Sequence, residues 1–484
     1  DPQRRLYKWG PISACPLFMY FTVEPAFKPL KKLLGVCYSA SHVIFKDNKI
    51  LWVLDMEEFS QHSQDFVARN IYSQRNLNTY KEIWNTRTKK MLSVFNQLQN
   101  QKLESVSIIK LKSLFSIFSK IYRNWWTHSI SIELVTGTIE SQLGALLKEK
   151  LSEEKEFNKA FAILSSPQEL TFYREEQRDL MRIMNLPQNK KEMALRTHQQ
   201  KYYWIYNSYL EAKVLNIEYF RDGLKKFERK RDESMKLLKE IENYSPKIQK
   251  DKHELLIKIN ADKQFKNLVG LVEYFSKLQD IRKEYNFQGD HFLQLFVNEF
   301  SKRFGIPARN LKLLTHSELL GIKDKFNIDK VSQRKICFAL NCSEDGIEEI
   351  NGTKALNTFG VFYTASNISQ STLHGSLAST GNVHYFRGVA RIIRTVKEIS
   401  ELKDGEILIT PMTSPDFVIG MKRAGAIITD VGGMLSHAAI ISRELGKPCI
   451  VGTEIATKVI KNGDIIELHC GRGTVRIIKS TTIA

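Results

Sequence analysis

Apolar residues follow two different periods along this chain. At the start, "LYKWGPISACPLFMYFTVE" and "SHVIFKDNKILWVLD" carry apolar runs that predict strands, with Asp47-Asn48 as a hairpin turn between two of them. From about residue 57 the period lengthens. Tyr80, Trp84, Met91, Phe95 and Leu98 recur at helical spacing, and Ile108, Leu111, Phe115, Phe118, Tyr122 and Trp125 continue the pattern. Stripes of this kind predict the core of a helical bundle rather than a cofactor box. A helical hairpin is expected over 214–267, where Ile217, Phe220, Leu224, Phe227, Leu238 and Ile241 form a seam interrupted by Arg231. Ser245-Pro246 supplies its turn, as an N-cap followed by a first-position proline. Two more helices are expected in "FKNLVGLVEYFSKLQDIRKEYN" and "GDHFLQLFVNEFSKRFG", after which Thr315 and Glu318 have capping-box spacing.

Beyond about residue 324 short strands return, with "QRKICFAL" the clearest. The stretch "YTASNISQSTLHGSLASTGN" has no periodicity and the Ser, Thr, Asn and Gly content of a linker. The last segment alternates regularly. "GVARII", "EILIT", "AIIT" and "PCIVG" are strands; Ser414-Pro415 opens a helix running to Gly425, and "SHAAIISREL" is a helix closed by Gly446. "GDIIELHCGRGTVRII" is a strand, a glycine turn and a strand. The pattern thus predicts a multidomain α and α/β protein. N-terminal strands (1–56) pack on a helical region (57–323); a small β-containing segment (324–360), a hinge linker (361–382) and a compact α/β domain (375–484) follow.

Composition narrows the classes. At 484 residues and 56.0 kDa, the chain is long enough for several domains. No apolar run approaches the roughly 18 residues of a membrane span. Six cysteines lack any CxxC pair or zinc spacing, which fits a reduced, cytoplasmic setting and no metal site. The net charge of +19 invites an anionic partner, but lysines alternate with glutamates along helical faces, so a nucleic-acid groove is not expected. The chain opens at Asp1 rather than methionine, which leaves a preceding segment open.

The chemistry concentrates in "ITDVGGMLSHAAIISRELGKPCIVG", residues 428–452. A helix N-terminus offers unsatisfied N–H groups and the positive end of a macrodipole, and the Gly432-Gly433 turn lets backbone approach an anion closely. His437 lies in the first turn of that helix. Positive charge is unfavourable there, so the imidazole is kept as a neutral nucleophile, and the same donors stabilise the negative charge of a phosphorylated ring. Ser436 caps the helix, Ala438 and Ala439 allow close packing, and Arg443 is a candidate phosphate contact.

The block "DGEILITPMTSPDFVIGMKRAGAIITDVGGMLSHAAIISRELGKPCIVGT" resembles the swivelling phosphohistidine domain of PEP-utilising enzymes. That group includes PEP synthase, pyruvate phosphate dikinase, enzyme I of the sugar phosphotransferase system and rifampicin phosphotransferase. The resemblance covers about 375–480 and rests on GG-x-x-S-H-A-A, TP-x-T-x-P and the closing GD-x-x-E…G-x-G-x-V in order. It places the phosphorylated histidine on His437, with Gly432, Gly433, Ser436 and Arg443 shaping the site. Such enzymes pair this domain with an ATP-grasp domain or a PEP-binding barrel, and neither pattern is found in this sequence.

The resemblance implies a phosphotransferase, dikinase-like in its phosphohistidine intermediate. Its donor would be an ATP-grasp protein or domain, with magnesium and ATP, or PEP, bound at a site outside this chain and no cofactor held tightly within it. The acceptor would be a small molecule. A weaker resemblance of "HQQKYYWIYNSYLEAKVLNIEYF", "LQDIRKEYN" and "LLTHSELL" to the helical region of rifampicin phosphotransferase-like and PEP synthase-like members puts the acceptor side in the helices, with Arg282, Lys283, His198 and Trp204 the residues of interest. Surface charge and packing explain those four equally simply. A longer enzyme lacking its ATP-grasp part here, and a non-catalytic basic helical scaffold with a relict histidine domain, both remain open on the sequence alone.

Overall fold

The computed structural model describes residues 6–480 except 323–325, 364–371, 382, 384, 414–416, 433–435, 454 and 471–472. Its contacts fall into two units: Asp1–Thr138, Ser208–Leu210 and Phe292–Ala484 form one, Ile139–Asn207 and Glu211–His291 the other. The chain is multidomain, mainly helical in its N-terminal region and α/β in its C-terminal region. Among the described residues no helix is long and apolar enough to cross a membrane.

In the first unit, β1 (Leu6–Ser13), β2 (Ser41–Lys46) and β3 (Lys49–Asp55) pair antiparallel. The expected turn joins β2 to β3, with Asp47 and Asn48 at φ of 52° and 56°, the left-handed geometry that a two-residue hairpin demands. The apolar run after β1 departs from expectation. It is a helix, α1 (Pro16–Val23), opened by its proline. Every residue of α1 but Tyr20 is buried, and a short run apolar on all sides carries no period to separate helix from strand. After α2 (Lys28–Leu34) and α3 (Met56–Asn70) come α4 (Gln74–Gln99) and α5 (Ile108–Ser129), which bury the predicted stripes except Ile108, half-buried at the start of α5. Trp84 meets Trp125 and Phe95 meets Phe118, an order that makes α4 and α5 antiparallel.

Helices build the second unit, between α6 (Ser131–Lys150) and α13 (Lys263–Phe304): α7 (Glu154–Ser165), α8 (Phe172–Met184), α9 (Gln188–Tyr202), α10 (Ile217–Arg229), α11 (Arg231–Glu242) and α12 (Tyr244–Lys258). The hairpin expected over 214–267 is three helices, broken at Lys230 and Asn243, and Ser245-Pro246 lies inside the first turn of α12. The two helices expected after it are one, α13, 42 residues long. Gly289 is buried within it, and Asn286 Nδ2 donates to Asp290 Oδ2 at 3.1 Å across the Gly-Asp pair. A lone glycine costs about 1 kcal/mol against alanine, too little to end a helix with packed faces. On α13, burial and then the charge of Glu175 push the Glu284 carboxyl up to about 7, with Lys201 and Gln288 opposing.

The first unit resumes with α14 (Ala308–Leu311), α15 (His316–Leu320) and α16 (Ile328–Ile336), and the Thr315–Glu318 capping box is formed. In "QRKICFAL" the first four residues end α16, and the strand, β4 (Phe338–Cys342), starts after Cys337. With β5 (Ile347–Asn351), β4 completes one antiparallel sheet of order β1-β3-β2-β4-β5, so the segment expected to stand apart belongs to the N-terminal strands. Behind it, α17 (Gly352–Phe359) follows. The Arg334 side chain is fully buried and donates to Glu318 Oε2 at 2.7 Å, Glu349 Oε2 at 2.8 Å and Leu313 O at 2.7 Å, tying α15, α16 and β5 together.

The C-terminal domain is an eight-stranded sheet of order β6-β13-β12-β8-β9-β10-β11-β7. Its strands are β6 (Thr372–His374), β7 (Ser376–Thr380), β8 (Tyr385–Ile392), β9 (Ile407–Thr410), β10 (Ala426–Thr429), β11 (Pro448–Val451), β12 (Ile465–His469) and β13 (Thr474–Lys479). Helices α18 (Val418–Arg423), α19 (His437–Glu444) and α20 (Ala456–Val459) accompany them. Strands β8 to β11 run parallel, and β9, β10 and β11 are buried throughout, as central parallel strands covered on both faces are. The expected linker is shorter than its composition implied. Thr372–His374 and Ser376–Thr380 pair with β13 and β11, hydrogen bonds that polar, aperiodic sequence does not announce.

Replacing Arg334 with Met leaves Glu318 and Glu349 without their buried guanidinium, and the expected loss is about 3 kcal/mol by urea denaturation. Burial opposes ionisation of Glu318, but hydrogen bonds from Arg334 and Lys330 hold its carboxyl down to about 2. That stabilisation is present above the ordinary carboxylate range and is lost as pH falls toward 2, so the variant should show a flatter acid limb. Glu284 has the opposite sign. Its raised folded value stabilises the protein below the ordinary range and loses that contribution as pH rises through about 7, at most about 3 kcal/mol. Thermal unfolding followed from pH 5 to 8 should show a falling midpoint in the native protein and a flatter profile, higher at pH 8, in Glu284→Gln.

Candidate functional site

The C-terminal ends of the parallel strands β9, β10 and β11 lie side by side, and their loops build the site, as crevices in open parallel sheets do. The loops are pinned to one another through backbone. Asp430 N donates to Thr410 O at 3.1 Å, Val431 N to Pro411 O at 2.9 Å and Thr453 N to Thr429 O at 3.0 Å. Three threonine hydroxyls brace the corners. Thr410 Oγ1 donates to Met412 O at 3.0 Å, Thr429 Oγ1 to Val431 O at 2.8 Å and Thr453 Oγ1 to Thr429 O at 2.9 Å.

From this frame α19 starts at His437. Ser436 is its N-cap, with extended backbone, and its Oγ accepts from Ala439 N at 3.3 Å. Gly432 has φ of 120°, and a Cβ there would stand 2.9 Å from Ser436 Cβ and 3.0 Å from its Oγ. Glycine is therefore required both for the backbone angle and for the approach of the cap. Ala438 and Ala439 are buried, and α19 packs against β11 and β7. The imidazole is oriented from the loop after β9: Thr413 Oγ1 lies 2.9 Å from His437 Nδ1, and Thr413 is buried. Nearby, the Asp430 carboxylate accepts from Thr457 N at 2.9 Å and from Thr457 Oγ1; burial pushes its carboxyl up against those bonds.

Of the residues expected at the site, His437, Ser436 and Gly432 come together around the start of α19. Gly433 and the Ser414-Pro415 cap lie outside the described residues. Arg443 has a partner on β7. Six residues along a helix is about 240° round and about 9 Å further on, and its Nε donates to Ala378 O at 2.8 Å, fastening α19 to β7. Thr413 was missed as a site residue, although the fourth position of "TPMT" holds it.

The four residues considered for an acceptor side lie in the other unit. His198 is 5% exposed, its Nε2 lies 3.1 Å from Glu176 Oε1, and its ring packs on Tyr202 and Phe220 at 4.8 and 5.0 Å. Trp204 is 3% exposed with its ring 5.6 Å from Phe172. Arg282 is buried on α13 and Lys283 half-buried beside it. His198 and Trp204 are thus both packed among aromatic rings. The more unusual group nearby in sequence is Glu284, which no pattern singled out.

Residues 402–473 match the family described as PEP-utilising enzyme, mobile domain. Over 88 residues the chain is 53% identical to a probable phosphoenolpyruvate synthase of Archaeoglobus fulgidus, a stretch covering 18% of this chain and 12% of that protein. It is 54% identical over 91 residues to phosphoenolpyruvate synthase of Pyrococcus furiosus, covering 18% and 11%. The phosphoenolpyruvate synthase of Aquifex aeolicus is 49% identical over 86 residues, covering 18% and 10%. The chain thus spans about a tenth of the length of these curated relatives, all of it in the C-terminal domain. The α/β region that carries His437 is a mobile domain of the PEP-utilising enzyme family.

Proposed function

We propose that the chain is a phosphotransferase component in which His437 accepts a phosphoryl group on Nε2 and passes it to a small-molecule acceptor. The observation that carries this reading is the 2.9 Å contact of Thr413 Oγ1 with His437 Nδ1 at the capped start of α19. In this reading Nδ1–H donates to the threonine oxygen, which leaves the ring lone pair on Nε2. That pair attacks phosphorus, an Nε2–P bond forms, and the P–O bond to the donor's leaving group breaks. In the second step an acceptor oxygen attacks the same phosphorus, the P–N bond breaks with its electrons returning to the ring, and the acceptor proton passes to solvent or a base. Dividing one transfer into two lets donor and acceptor meet the imidazole at different times. The relatives' name, phosphoenolpyruvate synthase, supports chemistry of this class. In this reading an ATP-grasp protein or domain, or PEP, is the donor, and magnesium and nucleotide belong to the donor's site outside this chain.

Two measurements test it. Incubation with 32P-labelled PEP, or with labelled Mg-ATP and an ATP-grasp protein, should place one acid-labile phosphoryl group on the His437 peptide and none on His437→Ala. Labelling that survives acid or persists in the variant contradicts the assignment. Thr413→Val should lower the labelling rate on the order of 10²-fold by releasing the ring orientation, with an unchanged circular dichroism spectrum and recovery in Thr413→Ser. A 31P spectrum showing the label on Nδ1 would overturn the choice of nitrogen.

A further inference from the structure

Antiparallel α4 and α5 leave a groove of about 1080 Å³ along their outer side. On α4, Asn85, Lys89, Leu92, Asn96 and Asn100 line it at intervals of three and four; Lys110, Leu114 and Ile117 line it from α5. Ile117 is 48% exposed, and neighbouring Ile109 is 80% exposed. The apolar floor is therefore open, in helices whose opposite faces hold the aromatic core.

Charge sets this face apart. Between Asn85 and Ile117 the sequence has Arg87, Lys89, Lys90, Lys102, Lys110 and Lys112 against the single acidic residue Glu104. Among the described residues the ammonium groups of Lys89, Lys90, Lys102 and Lys110 have no carboxylate partner. In the second unit several surface cations do have carboxylate partners: Arg182 with Glu242, Lys258 with Glu156, Lys277 with Glu169 and Arg221 with Glu192. Of the six cations, Lys89 and Lys110 line the groove itself, on either side of Leu92, Leu114 and Ile117.

We propose that this groove docks an acidic amphipathic helix of a partner protein. The span from Asn85 to Asn100 is about 22 Å, the length of about four helical turns. Apolar residues at i, i+3, i+4 and i+7 of the incoming helix would cover Leu92, Leu114 and Ile117, and its flanking carboxylates would meet Lys89 on one rim and Lys110 on the other. Nucleic acid fits less well, because the lining contains no aromatic ring for base stacking and its floor is aliphatic.

The test is fluorescence anisotropy of a labelled peptide of about 15 residues with leucines on one face and glutamates on its flanks, titrated with the full chain. Binding should be at least tenfold tighter than that of a scrambled peptide of equal composition. It should weaken at least tenfold in Lys89→Glu/Lys110→Glu and in Ile117→Asp, and fall between about 50 and about 300 mM salt. Lys225→Glu/Lys230→Glu, on exposed residues of the second unit, should change nothing, and circular dichroism should confirm that every variant folds. The proposal is overturned if the peptide does not bind, if the scrambled peptide binds equally, or if the distant lysine variant weakens binding as much. It is also overturned if labelled single-stranded RNA binds more tightly with loss in the same variants, or if those variants abolish self-association of the chain instead.

Discussion

An imidazole has two nitrogens that differ only by where its proton sits, and it becomes a directed nucleophile when something outside the ring settles that question. Here the contact outside the ring is Thr413 Oγ1 to His437 Nδ1 at 2.9 Å, and because a hydroxyl can donate or accept, what it holds is the direction of the ring. The strands and loops around the site bear on keeping those two atoms in register. They come from different loops, 24 residues apart, so their spacing depends on how the ends of β9 and β10 are held. The parallel ladder fixes the strands, and the amides of Asp430 and Val431, donating to Thr410 and Pro411, fix the loops beyond them. Gly432 and Ser436 then determine where α19 begins, and with it the direction of the ring.

This arrangement explains how much of the site was legible. Ser436, His437 and Gly446 were readable because a cap, a first-turn residue and a C-terminal glycine are local: each does its work within a few residues of itself. Thr413 stands in the TP-x-T-x-P motif, but its role was not readable, because the motif does not say that a side chain from another strand end will lie beside it. Arg443 has a contact that its place in the motif did not announce: its Nε donates to the carbonyl of Ala378, 65 residues away in sequence.

The fold divides along the same line. The β2–β3 hairpin could be read from two residues, since Asp47-Asn48 meets the turn's demand for positive φ. The sheet it belongs to could not, because β4 reaches β2 from about 300 positions away and only tertiary packing brings them together. In the helices the stripes predicted which residues are buried but not where helices stop. Gly289 looked like a boundary and lies inside α13; Arg231 looked like a flaw in one seam and marks the break between α10 and α11. Boundaries rest on energies of about 1 kcal/mol, which packing easily reverses, whereas burying a wrong face costs several times that.

The same difference accounts for where resemblance to other proteins is concentrated. A helix in the N-terminal region keeps its place provided that its buried stripe stays apolar and of similar volume, so many sequences satisfy it. Around His437 far fewer do. Gly432 cannot gain a Cβ without meeting Ser436, Ala438 and Ala439 have no room to grow beneath the helix start, and three threonines each use their hydroxyl to brace a corner. Identity of 49–54% to the phosphoenolpyruvate synthases named above lies in this domain, where particular atoms hold the loops together. The helices of the N-terminal region, held mainly by area and volume, leave their outer faces open to other surfaces, among them the face of α4 and α5 with six cations to one carboxylate between Asn85 and Ile117.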